Sequence, residues 1–136
     1  MKAIKMSRGL ATRLLFEAQK QPETEVCGFV GTRDGEPVEL YPVANVAADP
    51  AREFDMDPAQ QIDALRRMRE AGQTMGAIYH SHPSAPPEPS VADLDGLGYP
   101  DALYLIISLN IKGVLEMRAW QRQDRSMIER QLKIMD

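Results

Sequence analysis

Residues 79–93 of this chain read YHSHPSAPPEPSVAD and contain both of its histidines, His80 and His82. Residues 74–79, which read TMGAIY, predict a short buried strand that leads into the histidine pair. Side chains two apart on a strand point to the same face, so the two imidazoles should project together from the strand's end. The stretch therefore predicts a central strand that presents half of a metal site.

Prolines dominate the rest of this stretch, and they predict a stiff loop followed by a short helix over residues 90–97. The loop has room to turn back and deliver Asp93 to the histidines as a third ligand. Two imidazoles and one carboxylate leave a fourth tetrahedral position open for water, which is the pattern of catalytic zinc rather than structural zinc. Taken alone, the histidine pair is equally compatible with an ordinary surface loop.

The composition is typical of one globular domain of ordinary size. Of the 136 residues, 43% are hydrophobic and 26% are charged, which is enough to bury a real core. The net charge of -4 provides no basic field for phosphates and argues against nucleic acid binding, although a local basic patch for a protein partner stays open. Cys27 is the single cysteine, so no intrachain disulfide can form and a reducing compartment is expected.

The distribution of apolar residues along the chain indicates neither export nor membrane insertion. Arg8 and Arg13 interrupt any apolar run behind the first lysines, so we expect no secretory signal. The longest apolar run, residues 102–109, is far too short to span a bilayer. We therefore expect a cytoplasmic protein that does not interact with membranes.

Two amphipathic helices are predicted outside the central stretch. Ser7 is the predicted N-cap of the first helix, which should end near residues 21–22. Asp57 is the predicted N-cap of the second helix, with Pro58 at its first position and a stop at residues 71–72. The residues predicted to face the core from this second helix are Ile62, Leu65 and Met68.

Strand signals occur on both sides of the central strand. They lie near Ile4 and over residues 25–32, 38–46, 53–56, 102–109 and 114–121. Asp34 and Gly35 form a strong hairpin signal, and Pro42 indicates that the second strand of that hairpin lies at an edge or is irregular. The segment after Asp124 is ambiguous between helix and extended chain. The pattern predicts an α/β fold, with residues 1–136 forming a single domain built on a mixed β-sheet flanked by helices.

A hydrolytic zinc site also needs a general base and a donor for the oxyanion of the tetrahedral intermediate. Ser90 lies one helical turn before Asp93, which places its hydroxyl beside the metal that Asp93 would bind. Glu25 opens the first main strand, and from there it could reach across the sheet to metal-bound water. Each residue also has a plainer interpretation, because Glu25 could be an exposed strand-end residue and Ser90 only a helix N-cap.

Glu25, followed by HSHP at residues 80–83 and then by Asp93, resembles the signature of the JAMM (MPN+) metalloproteases. The EVCG stretch at residues 25–28 and the Ser90-x-x-Asp93 spacing are also typical of that family, and the order of elements agrees over nearly the whole chain. The resemblance implies the cytidine-deaminase-like MPN/JAMM fold. It also implies that His80, His82 and Asp93 ligate zinc, that Glu25 is the general acid/base, and that Ser90 stabilises the oxyanion.

The resemblance further implies a substrate class. JAMM enzymes hydrolyse amide or isopeptide bonds that follow the C-terminal glycine of a ubiquitin-like protein. This compact chain is similar to the stand-alone prokaryotic members, which act with ubiquitin-like sulfur-carrier proteins, so the implied partner is the C-terminal tail of such a carrier. A zinc amidase acting on a small molecule or a cell-wall peptide is an alternative. An inactive MPN scaffold is disfavoured because all five key positions are filled, and the oligomeric state stays open.

Several neighbouring residues are expected to have structural roles. Ser81 should point away from the histidines and form a structural hydrogen bond, and Cys27 should be a small buried hydrophobic residue. Tyr79 and Trp120 are predicted core residues, and Glu88 should be exposed. A solvated helix face is predicted for Arg66, Arg67 and Arg69.

Overall fold

The computed structural model describes residues 2–95, 99–110 and 116–136. The elements within these ranges are β1 (Ile4–Ser7), α1 (Arg8–Lys20), β2 (Cys27–Arg33), β3 (Glu36–Val43), α2 (Pro58–Glu70), β4 (Thr74–His82), α3 (Val91–Asp95), β5 (Leu103–Ser108), β6 (Glu116–Gln123), β7 (Ser126–Arg130) and β8 (Leu132–Met135). Among these, a six-stranded sheet has the order β3-β2-β4-β5-β6-β7, and β1 pairs with β8. The predicted mixed sheet flanked by helices is confirmed.

The strand that carries the histidines, β4, lies inside the sheet. It runs antiparallel to β2 and parallel to β5, and its last six residues are buried. The parallel pairing with β5 requires a crossover, and the proline loop with α3 provides it. The carboxyl ends of β4 and β5 therefore lie side by side, at the edge of the sheet from which the crossover loop departs.

Helices α1 and α2 cover opposite faces of the sheet. Leu14 of α1 packs in one core cluster with Val30 and Tyr79, while Met68 of α2 packs in another cluster with Phe29. Because Phe29 and Val30 are neighbours on β2, their side chains point to opposite faces. Tyr79 is fully buried, as predicted for a core residue.

The helix boundaries agree with their capping signals. The Ser7 hydroxyl accepts a hydrogen bond from the Leu10 N–H at 3.1 Å, and the Asp57 carboxylate accepts one from the Gln60 N–H at 2.9 Å. The second helix ends before Gly72, which has a φ of 73° that a glycine adopts without strain. Both predicted N-caps are therefore confirmed.

The predicted inward orientation of Ile62 is wrong, because its side chain is 70% exposed. The buried residues of α2 are Ala64 and Met68, four positions apart. With about 100° between successive residues, Ile62 lies about 140° around the helix from the direction these two share. The apolar stripe is thus centred on alanine and methionine rather than on the larger isoleucine.

Two predicted strand boundaries also need correction. Residues 53–56 do not form a strand, since the pairing there is a single bridge between Asn45 and Met56. The first main strand begins at Cys27, so Glu25 precedes β2 rather than opening it. The hairpin at Asp34 and Gly35 is confirmed by their φ angles of 53° and 80°, which suit the tight turn.

The C-terminal part of the described chain is extended. The segment after Asp124, ambiguous in sequence, forms β7 and β8. The predicted end of the short helix at residues 96–98 and the predicted turn and strand start at residues 111–115 lie outside the described residues. In the ranges that the structure describes, no helix has both the length and the apolar character required to cross a bilayer.

Candidate active site

The end of β4 presents both histidines to one face of the sheet. His80 and His82 are 1% and 2% exposed, and their Nε2 atoms lie 3.1 Å apart. Ser81 points to the other face, where its hydroxyl accepts a hydrogen bond from the Val26 N–H at 2.9 Å. The structural role predicted for Ser81 is therefore confirmed, and it anchors the residue that follows Glu25.

The proline loop brings Asp93 to the histidines. Oδ2 of Asp93 lies 3.1 Å from Nε2 of His80 and 3.1 Å from Nε2 of His82. Ser90 holds this carboxylate reciprocally, because its N–H donates to Oδ2 at 2.9 Å and its hydroxyl accepts from the Asp93 N–H at 3.0 Å. Ser90 thus caps α3, and it lies directly beside the carboxylate.

Glu25 reaches the same cluster from the segment before β2. It is 3% exposed, and one ligand atom from each of Glu25, His80, His82 and Asp93 lies within 4.8 Å of the others. Among the described residues, Oε1 of Glu25 meets no hydrogen-bond donor. A buried carboxylate oxygen without a donor is costly, and a bound cation or water molecule would satisfy it.

The hydrogen-bond pattern suits a metal ion better than a proton. Nδ1 of His82 lies 2.7 Å from the Pro86 carbonyl, which can only accept, so this nitrogen carries the proton. A neutral His82 then turns the lone pair of Nε2 toward the Asp93 carboxylate and toward Nε2 of His80. The His82 lone pair, the Asp93 carboxylate and Nε2 of His80 thus face one another, and a cation between them would bind all three. These residues fit a metal ion.

Burial and mutual contacts shift the pKa values of these groups. Burial raises the pKa of Glu25 to about 8, against the attraction of His82. Burial likewise lowers the pKa of His80. Burial also disfavours the charged forms of His82 and Asp93, but the hydrogen bonds and neighbouring charges of these two residues together have the larger effect on their pKa values. Asp93 and the Pro86 carbonyl raise the pKa of His82, and the two histidines lower the pKa of Asp93.

Three consecutive carbonyls of the proline loop are fixed by neighbouring groups. The Pro86 carbonyl meets His82, the Ser108 hydroxyl donates to the Ala85 carbonyl at 2.7 Å, and Nε1 of Trp120 donates to the Pro87 carbonyl at 3.0 Å. Trp120 is half-buried and holds the ligand loop, so its predicted role as a core residue was incomplete. Sequence reasoning missed this contact because nothing near Trp120 indicates which loop it meets.

An aromatic ring covers the first histidine. The ring of Phe54 stacks on His80 with 4.5 Å between ring centroids and 28° between planes. Sequence reasoning missed Phe54 because residues 53–56 were interpreted as a strand. A cleft of about 620 Å³ opens beside the cluster, lined by Glu53, Phe54, Asp55, His80, Val91, Ala92, Asp93 and Tyr104. The cluster is therefore reachable from solvent through this cleft.

The remaining predictions concern residues away from the cluster. Cys27 is buried, and burial raises its pKa to about 12, which fits a hydrophobic role. Glu88 is exposed and pairs with Arg118, as expected for a surface residue. Arg66 and Arg67 are about half exposed and pair with Asp63. All five residues predicted to carry the chemistry lie together, and their individual roles stay predictions.

Comparisons with known proteins agree with this geometry. The family described as prokaryotic homologs of the JAB domain matches residues 7–123. A desampylase of Haloferax volcanii is 38% identical over 67% of each chain. A CysO-cysteine peptidase of Mycobacterium tuberculosis is 25% identical over 93% of this chain and 88% of its own length.

Solved structures show the same fold. The solution structure of a Desulfitobacterium hafniense protein superposes with a TM-score of 0.87 at 29% identity, covering 97% of this chain and 92% of that one. A JAB1/MPN domain protein from Archaeoglobus fulgidus superposes with a TM-score of 0.65 at 19% identity, with complete coverage of both chains. The MPN/JAMM fold is confirmed. Together with the family match, these likenesses show that the chain is a peptidase-type hydrolase that belongs to the prokaryotic homologs of the JAB domain.

Proposed function

We propose that this chain is a zinc-dependent isopeptidase that hydrolyses the amide bond after the C-terminal glycine of a ubiquitin-like sulfur-carrier protein. The observation that carries the proposal is the buried convergence of Glu25, His80, His82 and Asp93 beside an open cleft. In this assignment, His80, His82 and Asp93 hold the zinc ion and Glu25 is the general acid/base. We assign residues 1–136 to a single domain of the JAMM metalloprotease type.

The spacing of the three ligand atoms supports zinc. Tetrahedral ligands about 2.0–2.1 Å from zinc are about 3.3–3.4 Å from one another. The three pairwise distances among Nε2 of His80, Nε2 of His82 and Oδ2 of Asp93 are each 3.1 Å. Two nitrogens and one carboxylate oxygen are also a ligand set typical of catalytic zinc. Zinc bound there would polarise the scissile carbonyl and lower the pKa of water.

Glu25 moves the protons of the reaction. Its carboxylate takes one proton from the attacking water, whose oxygen then bonds to the carbonyl carbon. As the carbon–nitrogen bond breaks, Glu25 returns that proton to the leaving amine. The second proton of the water stays on the new carboxyl group and then passes to the amine. The products are a carrier with a C-terminal glycine carboxylate and a protonated amine, so atoms and charges balance.

Ser90 stabilises the charge that develops on the carbonyl oxygen. Its hydroxyl oxygen already accepts from the Asp93 N–H, which leaves the hydroxyl hydrogen free to be donated. A donor held in place before the reaction costs no reorganisation when the oxyanion forms. The capping role and the catalytic role of Ser90 are compatible, because they use different atoms of the same group.

The relatives support the choice of substrate. They are a desampylase and a CysO-cysteine peptidase, and their names support an isopeptidase acting on ubiquitin-like proteins. The open cleft beside the cluster is consistent with an extended protein tail that runs past the metal site. A sulfur carrier with a glycine C-terminus is the substrate we assign.

Mass spectrometry of carrier adducts tests this proposal. The protein would be incubated with a glycine-terminated carrier joined to a lysine side chain, with a carrier–cysteine adduct, and with a short peptide amide as control. We expect cleavage directly after the terminal glycine of at least one carrier adduct, loss of cleavage with a chelator, and recovery with zinc. Cleavage that continues in chelator, or in the Glu25→Gln variant, would contradict the mechanism. Equal rates on the short amide would favour the small-molecule amidase.

A further inference from the structure

The side chain of Asn45 uses all of its hydrogen-bonding capacity near the proposed catalytic glutamate. Its Nδ2 donates to the Glu25 carbonyl at 2.9 Å and to the Glu53 carbonyl at 3.1 Å. Its Oδ1 accepts from the N–H groups of Ala47 and Asp55, each at 3.0 Å. Two donors and two acceptor positions are thus all satisfied by backbone groups.

These bonds join Glu25 to the segment that follows Asn45, residues 46–55. The same segment makes a second contact, because the Glu25 N–H donates to the Pro50 carbonyl at 2.7 Å. Both backbone polar groups of Glu25 are therefore held by Asn45 and the segment that Asn45 organises. Oε1 of Glu25 meets no donor from the described residues, so these backbone contacts help to place its carboxylate.

Segment 46–55 also reaches the first histidine. Phe54, one residue from two of the Asn45 contacts, stacks on the ring of His80. In the part of the chain that the structure describes, Nδ1 of His80 has no hydrogen-bond partner. A histidine that binds a metal is usually oriented by a hydrogen bond from its second ring nitrogen. For His80, the contact that orients the ring is instead the stacked Phe54.

We infer that Asn45 is a positioning residue that couples the placement of Glu25 to the orientation of His80 through segment 46–55. The inference rests on the proposed function of Glu25 as the general acid/base. The amide of Asn45 is fully used by backbone groups, so it has no hydrogen-bonding position left for a substrate. Its Nδ2 holds the Glu25 carbonyl, and its Nδ2 and Oδ1 together hold the backbone on either side of Phe54. The Glu25 carboxylate and the His80 ring are thereby both directed toward the metal site.

The test compares Asn45→Ala with Asn110→Ala, the same change at an exposed asparagine. We expect Asn45→Ala to lower kcat about 10- to 100-fold, as a small displacement of a catalytic group does, and to change KM little. The ring current of the stacked Phe54 should shift the His80 ring protons upfield in the NMR spectrum, and in Asn45→Ala these protons should move toward their normal position. Asn110→Ala should match the wild type in both measurements.

A folded Asn45→Ala protein with unchanged kcat and unchanged His80 shifts would overturn the inference. If Asn45→Ala does not fold, Asn45→Asp keeps the acceptor for Ala47 and Asp55 but removes both donors. Reduced kcat in this variant supports the inference, and a normal kcat with normal His80 shifts refutes it. Glu25→Gln separates the two proposals. An active Glu25→Gln protein refutes the proposed function, whereas inactive Glu25→Gln with normal Asn45 variants refutes only the coupling.

Discussion

Replacing Glu25 by glutamine should stabilise the metal-free protein at alkaline pH, although it should abolish turnover. Glu25 is 3% exposed and its pKa is raised from 4.5 to about 8. The folded protein therefore resists ionising a carboxyl group that ionises freely in the unfolded chain. The penalty grows with pH as long as the unfolded chain has released the proton and the folded chain has not, and it persists at higher pH.

The sign and the pH range follow from the two pKa values. Below about pH 4.5 the carboxyl is protonated in both states and the penalty is absent, whereas above about pH 8 the penalty is complete. A displacement from 4.5 to about 8 corresponds to at most about 4.8 kcal/mol. Glu25 also lines a second, smaller cleft together with Asn45 and Gln60, and solvent there screens part of this charge, so we expect about 2–3 kcal/mol. Glutamine cannot ionise and removes the penalty.

Urea denaturation in the presence of chelator, at a series of pH values, measures this effect. The free energy of unfolding of Glu25→Gln minus that of the wild type should increase by about 2–3 kcal/mol between pH 5 and pH 8.5, with similar m-values. The new amide group has its own effect on stability, but that effect does not depend on pH. Glu23→Gln, the same change at an exposed position two residues away, should show no such increase.

A difference that stays constant between pH 5 and pH 8.5 would refute the reasoning. It would mean that Glu25 ionises normally in the folded, metal-free protein. Zinc provides a further check, because a cation beside Glu25 should remove the penalty in the wild type. The stability advantage of Glu25→Gln at pH 8.5 should therefore shrink when zinc replaces the chelator.

Three further predictions concern the metal ligands, the loop that supports them and the packing of α2. Asp93→Ala should purify without stoichiometric zinc, as elemental analysis would show, and full zinc content would exclude Asp93 as a ligand. Ser108→Ala removes the donor to the Ala85 carbonyl and should weaken zinc binding about 10-fold in competition with a chelator; unchanged affinity would contradict the supporting role. Ile62→Ala should change stability by less than about 0.5 kcal/mol and Met68→Ala should cost about 2–4 kcal/mol in urea denaturation; equal costs would contradict the observed burial.

Local signals predicted the helix boundaries and the tight hairpin well. Ser7 and Asp57 are N-caps because each side chain bonds to a backbone N–H only three residues away. The hairpin at Asp34 and Gly35 likewise depends on the φ angles of those two residues. Such features involve only residues that are close along the chain, so both partners of each interaction can be identified from the local sequence.

Features that depend on distant partners were harder to predict. Ile62 was assigned to the core by its hydrophobicity, yet the sheet beneath α2 receives Ala64 and Met68 instead. The segment around Phe54 resembles a strand, but the amide of Asn45 occupies its backbone groups and leaves one bridge. In each case a contact from another element decided the outcome, and short-range patterns do not contain that contact.

The candidate site divides in the same way. The sequence alone determined that two histidines share a strand face and that Ser90 and Asp93 share a helical turn, because these spacings are set by backbone geometry. Only the tertiary structure decided that Glu25 joins them, since its approach requires the antiparallel pairing in which Cys27 lies opposite His80. It also decided that Asn45 and Phe54 complete the surroundings, because hydrogen bonds and ring stacking between distant segments form only after the sheet has assembled.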